Sequence, residues 1–102
     1  MHVVVAGKVL QEFVKQHADA ETSLKSWRKL AENGDFRNLA ELKQTFPIVD
    51  MVPVKKRDFY VFNIGGNKYR LVVAIHFNAQ KLFVRHVLTH AEYDTDKWKM
   101  KP

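Results

Sequence analysis

The chain has 102 residues, of which 46% are hydrophobic and none is cysteine, and its formal net charge is +6. This length allows one domain spanning residues 1–102, and the lack of cysteine excludes disulfides, thiol catalysis and thiolate metal sites. No apolar run approaches the roughly 20 residues of a membrane helix, and the first residues lack a secretory pattern. We therefore expect a cytoplasmic protein with no membrane segment. The charge favours an anionic partner, although a soluble domain that is merely basic is the alternative.

The first part of the sequence predicts one strand followed by helices. Residues 3–5 are a β-branched run that indicates a strand joining the sheet. Apolar spacing predicts one helix over residues 8–17 and another over about residues 19–33. Because only a short break separates them, we expect an antiparallel helical hairpin. The expected buried stripe of the second helix is Leu24, Trp27, Leu30 and Ala31.

The remaining elements are one short helix and a set of strands. A third helix is predicted over residues 38–45, where Asn38 and Glu41 have capping-box spacing. Residues 48–56 predict a strand that Pro53 restricts to an edge or a bulge, because proline cannot donate to a ladder. A three-stranded antiparallel meander is predicted over residues 59–64, 68–77 and 81–89. We expect Trp98 to hold a short terminal helix against the body.

These elements predict an α+β fold, with the N-terminal helical hairpin packed on one face of a small antiparallel β-sheet. Side-chain alternation predicts which face each residue takes. The predicted buried residues are Tyr69, Leu71, Val73, Ile75 and Phe77 on one strand and Leu82, Val84, His86 and Leu88 on the next. The opposite face would carry Lys68, Arg70, Val72, Ala74 and His76, then Lys81, Phe83, Arg85, Val87 and Thr89. We therefore expect Arg70 and Arg85 to lie together on an open face, where guanidinium groups suit a phosphate backbone.

The segments YVFNIGGNKYR and VRHVLTHAEYD resemble the HigB toxins of the RelE/ParE superfamily, and the resemblance covers essentially the whole chain. It implies a RelE/ParE-like fold and an mRNA interferase, a small endoribonuclease that cuts mRNA, often on the ribosome, and inhibits translation. It also implies a HigA-like helix-turn-helix antitoxin, through which alone the protein would reach operator DNA. The most specific residues of the resemblance are residues 63–67, Arg70, Arg85, Thr89, His90, Glu92, Tyr93 and Asp94.

RNA cleavage without a metal needs a proton acceptor, a proton donor and a cation for the phosphorane. On the basis of the family resemblance, we expect Arg70 and Arg85 to bind the phosphate at the cleaved bond. We hypothesise that His90 is the general acid or the general base and that Tyr93 is its partner. Which of the two residues donates the proton and which accepts it stays open. In the alternative, Thr89 and His90 cap the last helix and Tyr93 packs on the core. No carboxylate–histidine constellation indicates a metal, and we expect no cofactor.

A wider RNA-binding surface is predicted from Lys55, Lys56, Arg57, Asn67, Lys68 and His76. The first three could equally protect a sheet edge from aggregation. Asn67 could serve the turn alone, since asparagine tolerates positive φ. His76 could equally be a plain surface histidine, and we expect His86 to be a core histidine. Two alternative functions stay open: a non-catalytic inhibitor of DNA gyrase, as in ParE-type relatives, and an RNA-binding domain without turnover.

Overall fold

The computed structural model describes all 102 residues. The elements follow one another as β1 (His2–Val5), α1 (Val9–Gln16), a 3₁₀ turn (Ala18–Ala20), α2 (Glu21–Asn33), α3 (Leu39–Thr45), β2 (Asp50–Val54), β3 (Arg57–Ile64), β4 (Tyr69–His76), β5 (Lys81–Thr89), α4 (His90–Asp94) and a second 3₁₀ turn (Lys97–Met100). None of the helices is long and apolar enough to cross a membrane.

The five strands form one sheet in the order β1-β5-β4-β3-β2. The pairs β2–β3, β3–β4 and β4–β5 are antiparallel, which confirms the predicted meander. Strand β2 is an edge strand, as Pro53 requires. The expectation of a purely antiparallel sheet is wrong, because β1 pairs parallel with β5. A parallel neighbour needs a long crossover, and the intervening helices and strands supply it here.

Helices α1, α2 and α3 pack on one face of the sheet, whereas α4 contributes Tyr93 to the other face. Helix α2 buries Leu24, Trp27 and Ala31, and the Trp27 ring lies edge-on to Phe62 with 5.5 Å between centroids. The prediction for Leu30 is wrong, since its side chain is 50% exposed. Ala31, four residues after Trp27, continues the buried stripe instead.

The antiparallel helical hairpin stays a prediction. Helix α1 has no fully buried residue. Its half-buried Leu10 and Val14 line a cleft of about 380 Å³ together with Leu24 of α2. What ties this region to the sheet is Asp19 in the 3₁₀ turn. Its carboxylate accepts a hydrogen bond from the Tyr69 hydroxyl, at the start of β4.

Strand β5 contains a β-bulge at Arg85. Val72 of β4 pairs with His86, whereas the next residue, Val73, pairs with Val84. Arg85 is therefore an extra residue with no partner of its own in the ladder. Because alternation has a period of two, one extra residue reverses the faces of every residue that follows it.

Because of the bulge, the sheet faces predicted for the residues in the second half of β5 are wrong. Val87 packs with the helix-side core, and Leu88 packs on the opposite face. The sequence predicts the reverse for both. His86 is likewise not the expected core histidine. It lies opposite Val72 on the far face, half-buried, and its Nε2 is 2.8 Å from the main-chain oxygen of Lys101.

The expectation of an uncovered second sheet face is wrong. A second buried cluster occupies much of it, and Trp98, only 4% exposed, closes that cluster. The members are Val54, Phe59, Val61, Val72, Ala74 and Trp98. The physical reason is that these strand residues are apolar and need cover. The prediction that Trp98 holds the terminal turn against the body is confirmed.

Polar side chains from the sheet hold the tail segment that carries Trp98. Lys55 Nζ donates to the main-chain oxygen of Met100 at 2.9 Å. Arg85 donates to that of Pro102 at 2.8 Å. Two of the cations predicted to bind RNA therefore contact the chain itself. The uncovered part of this face lies at the other end of the sheet, around Arg70.

Candidate active site

A cleft of about 420 Å³ opens beside the uncovered end of the second face. Four regions meet there: α3 and the turn after it, the start of β2, the facing ends of β3 and β4, and α4. The lining residues are Lys43, Pro47, Ile48, Val49, Asp50, Val61, Asn63, Arg70 and Tyr93. The size falls in the range of about 300–1,000 Å³ typical of ligand sites. Five of the nine lining residues are polar or charged, and their convergence in one concave site makes it the candidate functional site.

Sheet register explains why the polar groups converge. Asn63 of β3 lies opposite Arg70 of β4, and Asp50 of β2 lies opposite Val61 of β3. Because Val61 and Asn63 are two residues apart, all four side chains project from the same face. The strands therefore bring a guanidinium, an amide and a carboxylate to one rim.

Arg70 is held in place by the turn that precedes it. Its guanidinium donates to Asn67 Oδ1 at 2.6 Å, to the main-chain oxygen of Asn67 at 3.2 Å and to that of Tyr69 at 3.1 Å. The positive φ angles of this turn belong to Gly65 and Gly66, at 64° and 70°, and not to Asn67. The structure therefore gives Asn67 a specific contact: its side chain orients Arg70.

Tyr93 forms the opposite wall of the cleft. The guanidinium carbon of Arg70 lies 5.9 Å from its ring centroid, a cation–π contact. The Trp98 ring stacks on it at 5.7 Å with an interplanar angle of 15°. Burial raises the pKa of the Tyr93 phenol; the Asp50 carboxylate raises it further, and Arg70 opposes the shift. The phenol is therefore neutral at pH 7 and able to donate a proton.

Helix α4, which carries Tyr93, begins with a full capping box. Thr89 Oγ1 accepts from the Glu92 amide at 3.1 Å, and Glu92 Oε1 accepts from the Thr89 amide at 2.9 Å. Thr89, and not His90, caps the last helix, and Tyr93 packs against the second buried cluster; the catalytic roles of His90 and Tyr93 stay predictions. His90, one turn before Tyr93, is exposed and does not line the cleft. Its Nε2 lies 3.2 Å from Asp94 Oδ2.

The structure brings Arg70 and Tyr93 together but does not bring Arg85 to them. Arg70 lies opposite Leu88 in the ladder. Arg85 is at the bulge, with its guanidinium on the main-chain oxygen of Pro102. The expected convergence of the two arginines is therefore not found.

The predicted RNA-binding residues divide between the two ends of the sheet. Asn67 and Lys68 lie near the cleft, and Lys68 Nζ pairs with Asp19 at 3.0 Å. The others lie at the far end, a strand length of about 23 Å away; they are Lys55, Lys56, Arg57 and His76. Two cationic patches thus replace the single surface expected.

Sequence reasoning missed Lys43 and Asp50 and gave Asn63 no role beyond the motif. Lys43 lies on α3, and Asp50 begins β2. Both line the cleft with Arg70. No local pattern distinguishes them from other charged residues, because their proximity arises only from tertiary packing.

Known proteins resemble the chain over most of its length. Residues 20–96 match the family model HigB_toxin, described as a RelE-like toxic component of a toxin-antitoxin system. The mRNA interferase toxin HigB of Escherichia coli is 34% identical over 94 residues, which cover 92% of this chain and 88% of that protein. The mRNA interferase HigB of Shigella flexneri gives the same values. A relative of that name from another Escherichia coli strain is 29% identical, covering 92% of this chain and 89% of its own.

Proposed function

The chain belongs to the HigB family of RelE-like toxins, and on that premise we propose that it is the toxin of a type II toxin–antitoxin system. It is an endoribonuclease that cuts mRNA and thereby inhibits translation. The observation that carries this proposal is the cleft in which Arg70, oriented by Asn67, lies against Tyr93. A guanidinium in a concave site of a protein of net charge +6 suits a phosphodiester substrate.

The proposed reaction is attack of a ribose 2′-hydroxyl on the adjacent phosphorus. The bond from phosphorus to the 2′-oxygen forms and the bond to the 5′-oxygen breaks, which leaves a cyclic phosphate and a free 5′-hydroxyl. No metal takes part. Arg70 binds the non-bridging oxygens and stabilises the charge of the phosphorane, as preorganised donors do in other phosphoryl reactions. Lys43 and Asn63, which line the same cleft, support this binding.

Two side chains of α4 move the protons in this proposal. Tyr93, whose pKa is raised by burial, donates its phenolic proton to the departing 5′-oxygen. His90, which is exposed outside the cleft lining one turn before Tyr93, accepts the proton of the 2′-hydroxyl once RNA is bound, and Asp94 orients its imidazole. Transfer of a proton from His90 to Tyr93 through solvent then restores the starting state.

The remaining cations bind RNA away from the reacting bond. Arg85 exchanges the main-chain oxygen of Pro102 for a backbone phosphate outside the cleft. Lys68 and the far patch (Lys55, Lys56, Arg57 and His76) contact flanking RNA. The substrate is mRNA on the ribosome in the cytoplasm. The opposing partner is a HigA-like helix-turn-helix antitoxin, and operator DNA is reached only through it.

A translation extract tests this proposal. Purified protein is added to a translating transcript and to the same transcript without ribosomes, and new 5′ ends are mapped. We expect cleavage with ribosomes, its loss in Arg70→Ala, and full activity in the control Arg37→Ala, whose side chain is 85% exposed outside the cleft. Intact transcripts under all conditions, or an Arg70→Ala protein that cuts like the parent, would contradict the proposal.

A further inference from the structure

The turn between α3 and β2 presents two apolar side chains to the cleft. The Val49 amide donates to the main-chain oxygen of Phe46 at 3.1 Å, which closes a four-residue turn with Pro47 and Ile48 at its tip. Both ends are anchored: Val49 is 3% exposed, and the Phe46 ring lies 4.9 Å from that of Phe62. Proline at the second position restricts φ and stiffens the turn. The tip is therefore a preformed surface.

Ile48 is unusual for its position, because its side chain is 69% exposed. An isoleucine at a turn tip adds nothing to the core, and β-branched residues are poor turn formers. Yet Pro47 and Ile48 line the same cleft as Arg70, Asn63 and Lys43. The cleft thus has an apolar wall directly beside a cationic one.

We propose that Pro47 and Ile48 form a shelf that binds the face of a nucleobase next to the scissile phosphate. This inference rests on the proposed function and assigns the shelf a role in substrate specificity. A nucleotide has the matching chemistry, with a flat apolar base face attached to an anionic phosphate. The shelf receives the base while Arg70 holds the phosphate, so one nucleotide spans the cleft.

A nucleobase suits this surface better than a protein partner does. Two side chains offer only a small apolar area, far below that of a stable protein interface. A nucleobase, in contrast, needs only one small apolar face, which two aliphatic side chains can supply.

A substrate lacking the base provides the test. Kinetics are measured on a short RNA with one mapped cleavage site and on the same RNA made abasic on either side of that site. We expect Ile48→Ser to lower kcat/KM about fivefold to tenfold on the intact RNA, mainly through KM. On the RNA that lacks the stacked base, the parent and Ile48→Ser should be equal. Leu30→Ser is the matched control, since Leu30 is 50% exposed on α2 and outside the cleft.

Binding without cleavage separates this inference from the proposed function. The Ile48 methyl resonances are followed by NMR while RNA with 2′-O-methyl groups, which cannot be cut, is added. A shift with the intact RNA that is absent with the abasic RNA supports the shelf, even if the parent cleaves nothing. Cleavage by the parent together with an unmoved Ile48 signal overturns the shelf and leaves the ribonuclease proposal standing. An Ile48→Ser protein that cuts RNA normally but no longer binds its antitoxin also overturns it.

Discussion

The guanidinium carbon of Arg70 lies 5.9 Å from the ring centroid of Tyr93, and Tyr93 stacks in turn on Trp98. Trp98 is buried in the cluster on the second sheet face. The two central side chains of the cleft are thus connected by packing to the tail of the chain. We therefore expect cleavage activity to change when either Arg70 or Trp98, the two residues that contact Tyr93, is replaced.

Replacing Arg70 by lysine should abolish most cleavage although it keeps the charge. Lysine offers a point charge and cannot reproduce the planar fork that binds two phosphate oxygens. We expect kcat to fall about 10²–10³-fold, as for loss of a transition-state donor. Thermal stability should change little, because two of the three hydrogen bonds of the guanidinium are exposed to solvent. Single-turnover cleavage checks this, and near-normal activity of Arg70→Lys would exclude bidentate binding.

Removing the Tyr93 hydroxyl should lower cleavage by about 10²-fold, in line with general acid catalysis. The deficit of Tyr93→Phe should disappear with a substrate whose leaving 5′-oxygen is replaced by sulfur, because a thiolate departs without a proton. The parent pH profile should show no loss from Tyr93 until above its ordinary pKa of 10.0. Tyr60→Phe is the control, since Tyr60 packs edge-on against Phe77 and outside the cleft.

Lys56→Gly should make the protein more stable and bind RNA more weakly. Lys55 and Lys56 occupy the two-residue turn between β2 and β3 with φ of 51° and 66°, a conformation that suits glycine. We expect a gain of about 0.5–1 kcal/mol, the left-handed penalty less the entropy cost of glycine. The slope of log affinity against log salt should fall by about 0.7. Lys56→Ala should change the slope equally without the gain in denaturation experiments, and equal stability of the two variants would contradict the strain.

Stability at low pH should depend on Asp19. The Tyr69 hydroxyl, and then Lys68, lower the pKa of this carboxylate below 3.8 in the folded protein. Its contribution is therefore present above pH 3.8 and is lost as the pH falls through the lower folded value. Asp19→Asn should be less stable than the parent at pH 7, and the difference should shrink in urea titrations below pH 3.8. The control Asp35→Asn removes an exposed carboxylate that forms no ion pair. A constant difference across the pH range would count against the linkage.

The sequence correctly predicted those features of the fold that depend on residues close together in the chain. Strands such as β3 and β4 are rich in β-branched and aromatic residues, and they form as expected. Pro53 placed β2 at an edge because the missing donor acts locally. Strand alternation indicated Arg70 as a phosphate-binding residue and the family resemblance added Tyr93, and the structure brings both into one cleft.

What was missed depends on contacts between distant segments. Nothing in the sequence of β5 marks Arg85 as the extra residue, since a bulge depends on how the partner strand is aligned. The sequence does not predict the second apolar cluster, because alternation places Val72 and Ala74 on the same face as Lys68 and Arg70. Lys43 and Asp50 join the site only once α3 and β2 are folded against it.

Arg85, the unpaired residue of the bulge in β5, also determines to which sheet face the side chains after it point. Deleting Arg85 would shift the alternation by one, so that Leu88 would point at the helices and Val87 at the tail. Helix α4 would then leave the sheet rotated by half a turn. The Tyr93 phenol would no longer lie against the Arg70 guanidinium. An irregularity of one residue in the middle of a strand thus sets the geometry of a cleft several residues away.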